Sequence, residues 1–225
     1  MQLVKITCEI RYLERMKLLT GYEAIHKDML KKEPEKVESW LTPGLRIEDK
    51  EKKRTMLVDP VRSVIDIEQP PNVGFCRDSV TQFFRSIDER LGIPQIARYG
   101  LRSTWIQEYK GSFQDLIDKC KQNIFGGSSF VERVNDVGAV FDYYLEGGQK
   151  LTMTVGPMEV EQLKSQFLSF EPGPLPSPFL YVDVDLGDTA TKQFSVQRLR
   201  NFFDKAVKEG ERLVNESINQ IGVSR

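Results

Sequence analysis

The sequence predicts an α+β protein. It should hold an antiparallel or mixed sheet with helices packed mainly on one face, built from two similar β-α-β-β-α units. Three observations carry this. Stretches of period-two alternation are followed by stretches of helical period, so strands and amphipathic helices share one chain. The same order of elements runs through residues 1–94 and again through residues 95–225. Each half also closes on a helix with paired phenylalanines and a distal Glu-Arg-Leu: Phe83-Phe84 with Glu89-Arg90-Leu91, and Phe202-Phe203 with Glu211-Arg212-Leu213. The two halves are read as one compact domain or as two closely packed units.

The first half opens with a strand over 3–12. Val4, Ile6, Cys8, Ile10 and Tyr12 face one way, and Lys5, Thr7, Glu9 and Arg11 the other, the pattern of a half-exposed strand. Met16, Leu18, Leu19, Tyr22, Ile25 and Met29 then recur at helical spacing over 13–31, ended by Pro34. Trp40 to Gly44 is a turn-rich bridge. Short β-like runs follow at 45–47, 55–58 and 63–67, with the charged run Asp49–Arg54 read as a solvated hairpin tip. After Pro70-Pro71, Asp78 or Ser79 is the expected cap of a helix striped by Val80, Phe83, Phe84, Ile87 and Leu91, closed by Gly92.

The second half opens at Gln95 with an alternating strand carrying Ala97, Tyr99, Leu101 and Trp105 on one face. Ser112-x-x-Asp115 reads as a capping box for a helix striped by Phe113, Leu116, Ile117, Cys120 and Ile124. Gly126-Gly127-Ser128-Ser129 is a break. Gly147-Gly148, between alternating runs at 138–146 and 149–155, suits a two-residue hairpin turn. A short helix near 158–167, an extended Pro-rich connector over 172–178, a strand over 179–186 and a long helix capped by Ser195 complete the chain.

Composition narrows the function classes. The 225 residues are 40% hydrophobic and 29% charged, a globular composition with no need of a disulfide or metal staple. Net charge is −1, which argues against a nucleic-acid binder. Cys8, Cys76 and Cys120 are odd in number and widely spaced. They form neither a disulfide framework nor a metal knuckle, and a reducing cytoplasm is the expected compartment. The first residues lack a signal-peptide pattern, and no run is long enough to span a membrane.

Few residues offer chemistry. His26 is the sole histidine, so any Ser-His-Asp or Cys-His arrangement would have to use it; its place beside Ile25 reads more simply as a helix histidine. Asp183-x-Asp185 puts two carboxylates on one strand face, where they can share a divalent cation, with Asp142 or Glu9 as a third ligand. The plain alternative is a polar outer face whose acids pair with Arg98 or Arg102. Arg98 and Arg102 flank Gly100, which leaves room for a ligand; two guanidinium groups around that gap suit a phosphate or carboxylate, and cross-strand ion pairing is again the alternative. Gly126–Ser129 is no phosphate loop, lacking its Gly-Lys-Ser/Thr ending. Trp105 belongs to the core side of its strand, whereas Trp40 is freer to touch a partner.

Arg98-Tyr-Gly-Leu-Arg102 followed by Thr104-Trp105-Ile106 resembles a strand motif of a sporadically distributed family of uncharacterised bacterial proteins. Phe179-Leu-Tyr-Val-Asp-Val-Asp185 and Arg198-Leu-Arg-Asn-Phe-Phe203 are similar to that family's C-terminal part, and Cys8-Glu-Ile-Arg-Tyr12 to its first strand. The chain departs from the family in having no histidine near the aromatic pair. The resemblance implies a fold and a bacterial origin but no activity. The paired-unit topology is also similar to ligand-binding modules of the gyrase-inhibitor-like and haem-binding SOUL groups, a likeness of fold alone.

The expectation is therefore a cytoplasmic, non-enzymatic binding or protein-interaction module. It would use the polar sheet face, with Arg98, Arg102, Thr104 and Tyr181 as ligand contacts, or the groove between the units. No cofactor is expected. The partners are a small anionic ligand or another protein, a homodimer included, with no nucleic acid and no membrane. The alternative is a metal-dependent enzyme acting on phosphodiesters or nucleotides through Asp183 and Asp185.

Overall fold

A computed structural model describes residues 1–13, 22–30, 44–126, 134–189 and 193–223. In chain order the elements are β1 (Gln2–Tyr12), α1 (Tyr22–Leu30), β2 (Leu45–Asp49), β3 (Arg54–Val58), β4 (Arg62–Glu68), α2 (Val73–Leu91), β5 (Ile96–Glu108), α3 (Phe113–Phe125), β6 (Ala139–Leu145), β7 (Gln149–Met158), α4 (Val160–Phe167), β8 (Phe179–Asp188) and α5 (Val196–Ile221). The protein is α+β. Met16, Leu18, Leu19, Pro34, Trp40 and Gly127 to Ser129 lie outside the described residues.

All eight strands join one antiparallel sheet in the order β2-β3-β4-β1-β5-β8-β7-β6. Counted outward from the central β1/β5 pair, one side reads β1, β4, β3, β2 and the other β5, β8, β7, β6. The order of connection is the same on both sides. Each half contributes four strands, one more than a β-α-β-β-α unit holds, because β4 and β8 return to the centre and pair with the opening strand of their own half. β1 and β5 pair from Gln2↔Ile106 to Tyr12↔Ile96, so the sheet runs unbroken across the boundary at residue 95.

Period-two alternation gives the sheet a dry face and a polar one. Ile6, Cys8 and Ile10 of β1, Met56 and Val58 of β3, Leu101 and Trp105 of β5 and Val182, Val184 and Leu186 of β8 meet the apolar stripes of α1, α2, α3 and α5 in one core. Gly210 lets α5 lie close on β5, since a Cβ there would stand 3.0 Å from the Ser103 hydroxyl. The three cysteines are free and buried, Cys8 and Cys120 as their apolar strand and helix positions predict. No described helix is long and apolar enough to cross a membrane.

α4 breaks the one-sided pattern. It packs on the polar face, where Leu163 joins Val4, Ile106, Met158 and Phe179 in a second, smaller core. Val4 does not share the side of Ile6, Cys8 and Ile10: a register irregularity between Leu3 and Lys5 sends Leu3 to the main core and Val4 to this one.

The turn chemistry follows the sequence at several points. Gly147 and Gly148 both adopt positive φ, 78° and 80°, in the turn that joins β6 to β7; Leu145 pairs with Gln149, so the loop also takes in Glu146 and is one residue longer than the two-residue turn expected. The Ser112/Asp115 capping box opens α3, and Ser195 caps α5. Two expectations fail. α2 begins at Val73, not near Ser79; Asn72 accepts from the Phe75 N–H and caps the helix earlier, leaving Ser79 buried in its body. Nor is Asp49–Arg54 a wholly solvated tip. Only the residues between its ends form the turn, and Arg54 and Asp49 are 2% and 8% exposed. The Arg54 guanidinium donates to Asp49, to the Ser79 hydroxyl and to the Met29 carbonyl beneath the helices.

Candidate functional site

The antiparallel register brings the polar residues of neighbouring strands into rows. Thr7 stands beside Arg102, and Arg102 beside Asp185; Thr104 stands beside Asp183. Lys5, Thr7, Glu9 and Arg11 of β1 therefore share a face with Arg98, Arg102 and Thr104 of β5 and with Tyr181, Asp183 and Asp185 of β8, as the alternation predicts.

These side chains bind one another. Arg102 Nε donates to Asp183 Oδ2 at 2.7 Å, and the Thr104 hydroxyl donates to Asp183 Oδ1 at 2.7 Å. Asp183 is only 4% exposed. Burial pushes its carboxyl above the usual range, and Arg102 and Thr104 offset only part of that. Arg98 Nη1 donates to Glu9 at 2.9 Å, and its other terminal nitrogen lies 3.5 Å from Asp185. Glu9 also receives Arg11 at 2.6 Å and Arg62 at 3.5 Å.

The room beside Gly100 is real, but it is filled from within the chain. Gly100 stands opposite Gly187 in the register, and the Arg98 guanidinium lies across both. A Cβ on Gly100 would meet Arg98 Nη1 at 2.8 Å, and one on Gly187 would meet Arg98 Nε at 3.1 Å. Thr104 is buried against Asp183. Tyr181 is half-covered by α4, its ring 6.0 Å from that of Phe167, and the Arg102 guanidinium sits 5.5 Å over the same Phe167 ring. Three of the four expected ligand contacts, Arg98, Arg102 and Thr104, thus belong to a cross-strand network with Glu9, Asp183 and Asp185, and Tyr181 packs against α4 beside it.

The acid pair is divided in the same way. Asp183 and Asp185 share a face, but each turns to a different arginine. Of the two expected third ligands, Glu9 is held by arginines, and Asp142 by the Lys150 ammonium at 2.9 Å and the Thr152 hydroxyl at 2.6 Å. Among the described residues no group of three or more His, Cys, Asp or Glu side chains could hold a metal ion. His26 is buried in α1. Burial also pushes the Cys76 and Cys120 thiols up to about 12, away from the thiolate a nucleophile needs.

The open part of the polar face lies beyond Glu9, over β1, β4, β3 and β2. There a groove of about 850 Å³ is floored by half-buried Leu57 and Val64 and flanked by Thr7, Glu9, Arg46, Thr55 and Asp66. Asp66 accepts from the Thr7 hydroxyl at 2.5 Å. Arg46 pairs with Glu48 at 2.7 Å, yet its Nε is buried without a hydrogen-bond partner. Ser169 closes one end. It belongs to the segment after α4, which crosses back over the face on anchors from β4: the Ser169 and Phe170 N–H groups donate to buried Glu68 at 2.9 to 3.0 Å, and the Gly173 N–H donates to Gln69 at 3.1 Å. Lys53 donates to the Glu171 carbonyl at 3.0 Å. Sequence reasoning passed this groove by. Its signal was a leucine and a valine, Leu57 and Val64, at polar-face positions of their strands.

No protein-family model matches the chain, and no curated protein matches it.

Proposed function

We propose that the chain is a non-enzymatic binding module whose open sheet face takes a small molecule with an apolar body and an anionic end. The observation that carries this is the groove beside the charge network. Its volume of about 850 Å³ falls in the range of small-molecule sites, roughly 300–1,000 Å³. An apolar floor of Leu57 and Val64 takes the body, and the partly exposed Arg46 guanidinium at the groove supplies donors for the anionic end. The helix-covered face has its apolar surface packed away except beside β6, where the hollow is smaller, about 670 Å³, so the polar face is the side better suited to a ligand. Three unpaired, buried cysteines suit a reducing cytoplasm. The same reading takes the two halves as copies of one unit, supported by their shared order of connection.

The test is methyl NMR of the full chain against a library of small aryl and alkyl carboxylates. Binders should shift the Leu57, Val64 and Thr55 methyl signals, and Arg46→Ala should weaken them at least about tenfold, the loss of one charge-assisted hydrogen bond. Carboxylates that leave these methyls unmoved, or bind Arg46→Ala equally well, would defeat the proposal.

A further inference from the structure

β6 closes one edge of the sheet and, among the described residues, has a strand partner on one side only, β7. It is also where exposed apolar surface gathers. Four of the eight large hydrophobic side chains exposed among the described residues fall on it: Val140 at 66%, Phe141 at 38%, Tyr143 at 38% and Tyr144 at 83%. Both faces of the strand take part. Val140 and Tyr144 lie on the polar side of the sheet. Phe141 and Tyr143 lie on the helix side, where with Ile124, Met153 and Leu213 they line a hollow of about 670 Å³. Edge strands are ordinarily guarded by lysine, proline, a bulge or an inward charge. β6 carries one charge, Asp142, and that carboxylate is already engaged by Lys150 and Thr152.

We propose that β6 is a dimerisation edge, and that its occupant is β6 of a second copy of this chain, paired antiparallel about Asp142. The strand is complementary to itself in that register. A two-fold axis through Asp142 sets Phe141 opposite the partner's Tyr143 and Val140 opposite the partner's Tyr144, each pair occurring twice. Aromatic–aromatic and aromatic–β-branched pairs are the favourable cross-strand combinations. The two Asp142 carboxylates meet at the axis, each with its own Lys150 ammonium 2.9 Å away. Complete rings bury about 150–250 Å² each, so the exposed parts of these four side chains offer on the order of 400 Å² per copy. That is about half of the roughly 800 Å² per partner of a standard interface, with the rim of the adjoining hollow adding to it. The pairing is thus a weak, concentration-dependent one that continues the sheet across the axis and sets two polar faces side by side. It does not depend on the groove or on what fills it.

Sedimentation equilibrium of the full chain from about 5 to about 500 μM reads this directly, a span that covers weak interfaces of this size. The wild type should shift from monomer toward twice its mass. Val140→Lys with Tyr144→Lys replaces two exposed side chains, should keep the circular dichroism unchanged, and should weaken the dimer at least about tenfold. Asp142→Cys should give a disulfide-linked dimer on mild oxidation, because facing Cα atoms in such a pair lie about 4.5–5.5 Å apart and the native cysteines are buried. A wild type of single mass at every concentration overturns the proposal; slow amide exchange along Val140 to Leu145 in that monomer would then assign the edge to another segment of the chain. A dimer unaffected by the two lysines, or one that Asp142→Cys does not trap, overturns it equally.

Discussion

Replacing Arg102 by alanine strands a carboxylate that burial already disfavours. Asp183 is 4% exposed and has two partners, the Arg102 guanidinium at 2.7 Å and the Thr104 hydroxyl at 2.7 Å. Breaking a fully buried pair by removing one partner costs about 3–5 kcal/mol. Half of the Arg102 side chain meets water and Thr104 keeps its bond, so the expected loss at neutral pH is smaller, about 2–3 kcal/mol. The loss must also depend on pH in a set direction. Burial raises the folded pKa of Asp183 above its unfolded value of 3.8, so the folded state holds the proton more tightly. Stability from this group is then complete below the unfolded pKa and falls as pH rises through the folded one. Without Arg102 the folded pKa climbs further, so the cost of Arg102→Ala grows through the acid range and is full at pH 7. Asp183→Asn should cost under about 1 kcal/mol, since it removes the buried charge and leaves Arg102 in contact with water. Urea unfolding of the three proteins from pH 3 to pH 7 measures all of this. A loss for Arg102→Ala below about 0.5 kcal/mol at pH 7, or one that is flat in pH, would refute the reasoning and return Arg102 to the free surface.

Arg54→Ala should cost about 3–5 kcal/mol, because Asp49 is left buried beneath α1 and α2, whereas Arg54→Met combined with Asp49→Leu should recover most of the loss. Burial pushes Asp49 up, but the Arg54 and Lys52 N–H groups more than offset it and hold the carboxyl below its usual value. The stabilisation is therefore present above the unfolded pKa and is lost as pH falls through the folded one, so acid unfolding should separate the wild type from the uncharged double variant. Glu68→Ala removes the acceptor of the Ser169 and Phe170 N–H groups; a loss of about 1.5–3 kcal/mol and faster amide exchange over 168–173 are expected, and unchanged exchange would contradict the anchoring role. Gly100→Ala pushes the end of a flexible side chain, Arg98, off its seat, so denaturant unfolding should register under about 1 kcal/mol; a loss above about 3 kcal/mol would mean that the backbone there cannot yield.

The class of the fold was legible because hydrophobic period is local. Ile6-x-Cys8-x-Ile10 and Phe83-Phe84-x-x-Ile87 announce a strand and a helix without help from the rest of the chain. Features that depend on distant partners were not. Leu163 and Phe167 carry the same stripe as any other helix, and nothing in α4 itself says that it packs on the opposite face of the sheet. The displacement of Val4 arises from pairing with β5, about a hundred residues away in sequence. Asp49 and Arg54 look like surface charges until Ser79 and the Met29 carbonyl are brought over them. At Gly100 the reading of open space was sound, but the occupant was a side chain two residues away on the same strand. The groove escaped because one of its walls is the returning segment at Ser169, placed there by Glu68.

The seam between β1 and β5 has a consequence for how the chain is made. Gln2 pairs with Ile106 and Tyr12 with Ile96, so β1 gains one of its two neighbours only after the rest of the first half has been synthesised. Until then β4 alone pairs with β1, and the opposite edge of the nascent sheet, Val4 to Tyr12, stays unpaired although it carries the core residues Ile6, Cys8 and Ile10. Contacts so far apart in sequence slow folding, because loop-closure entropy is spent before they form. Synthesis from the N-terminus makes that wait unavoidable, and it makes residues 2–12 the stretch of nascent chain that a chaperone would have most reason to hold.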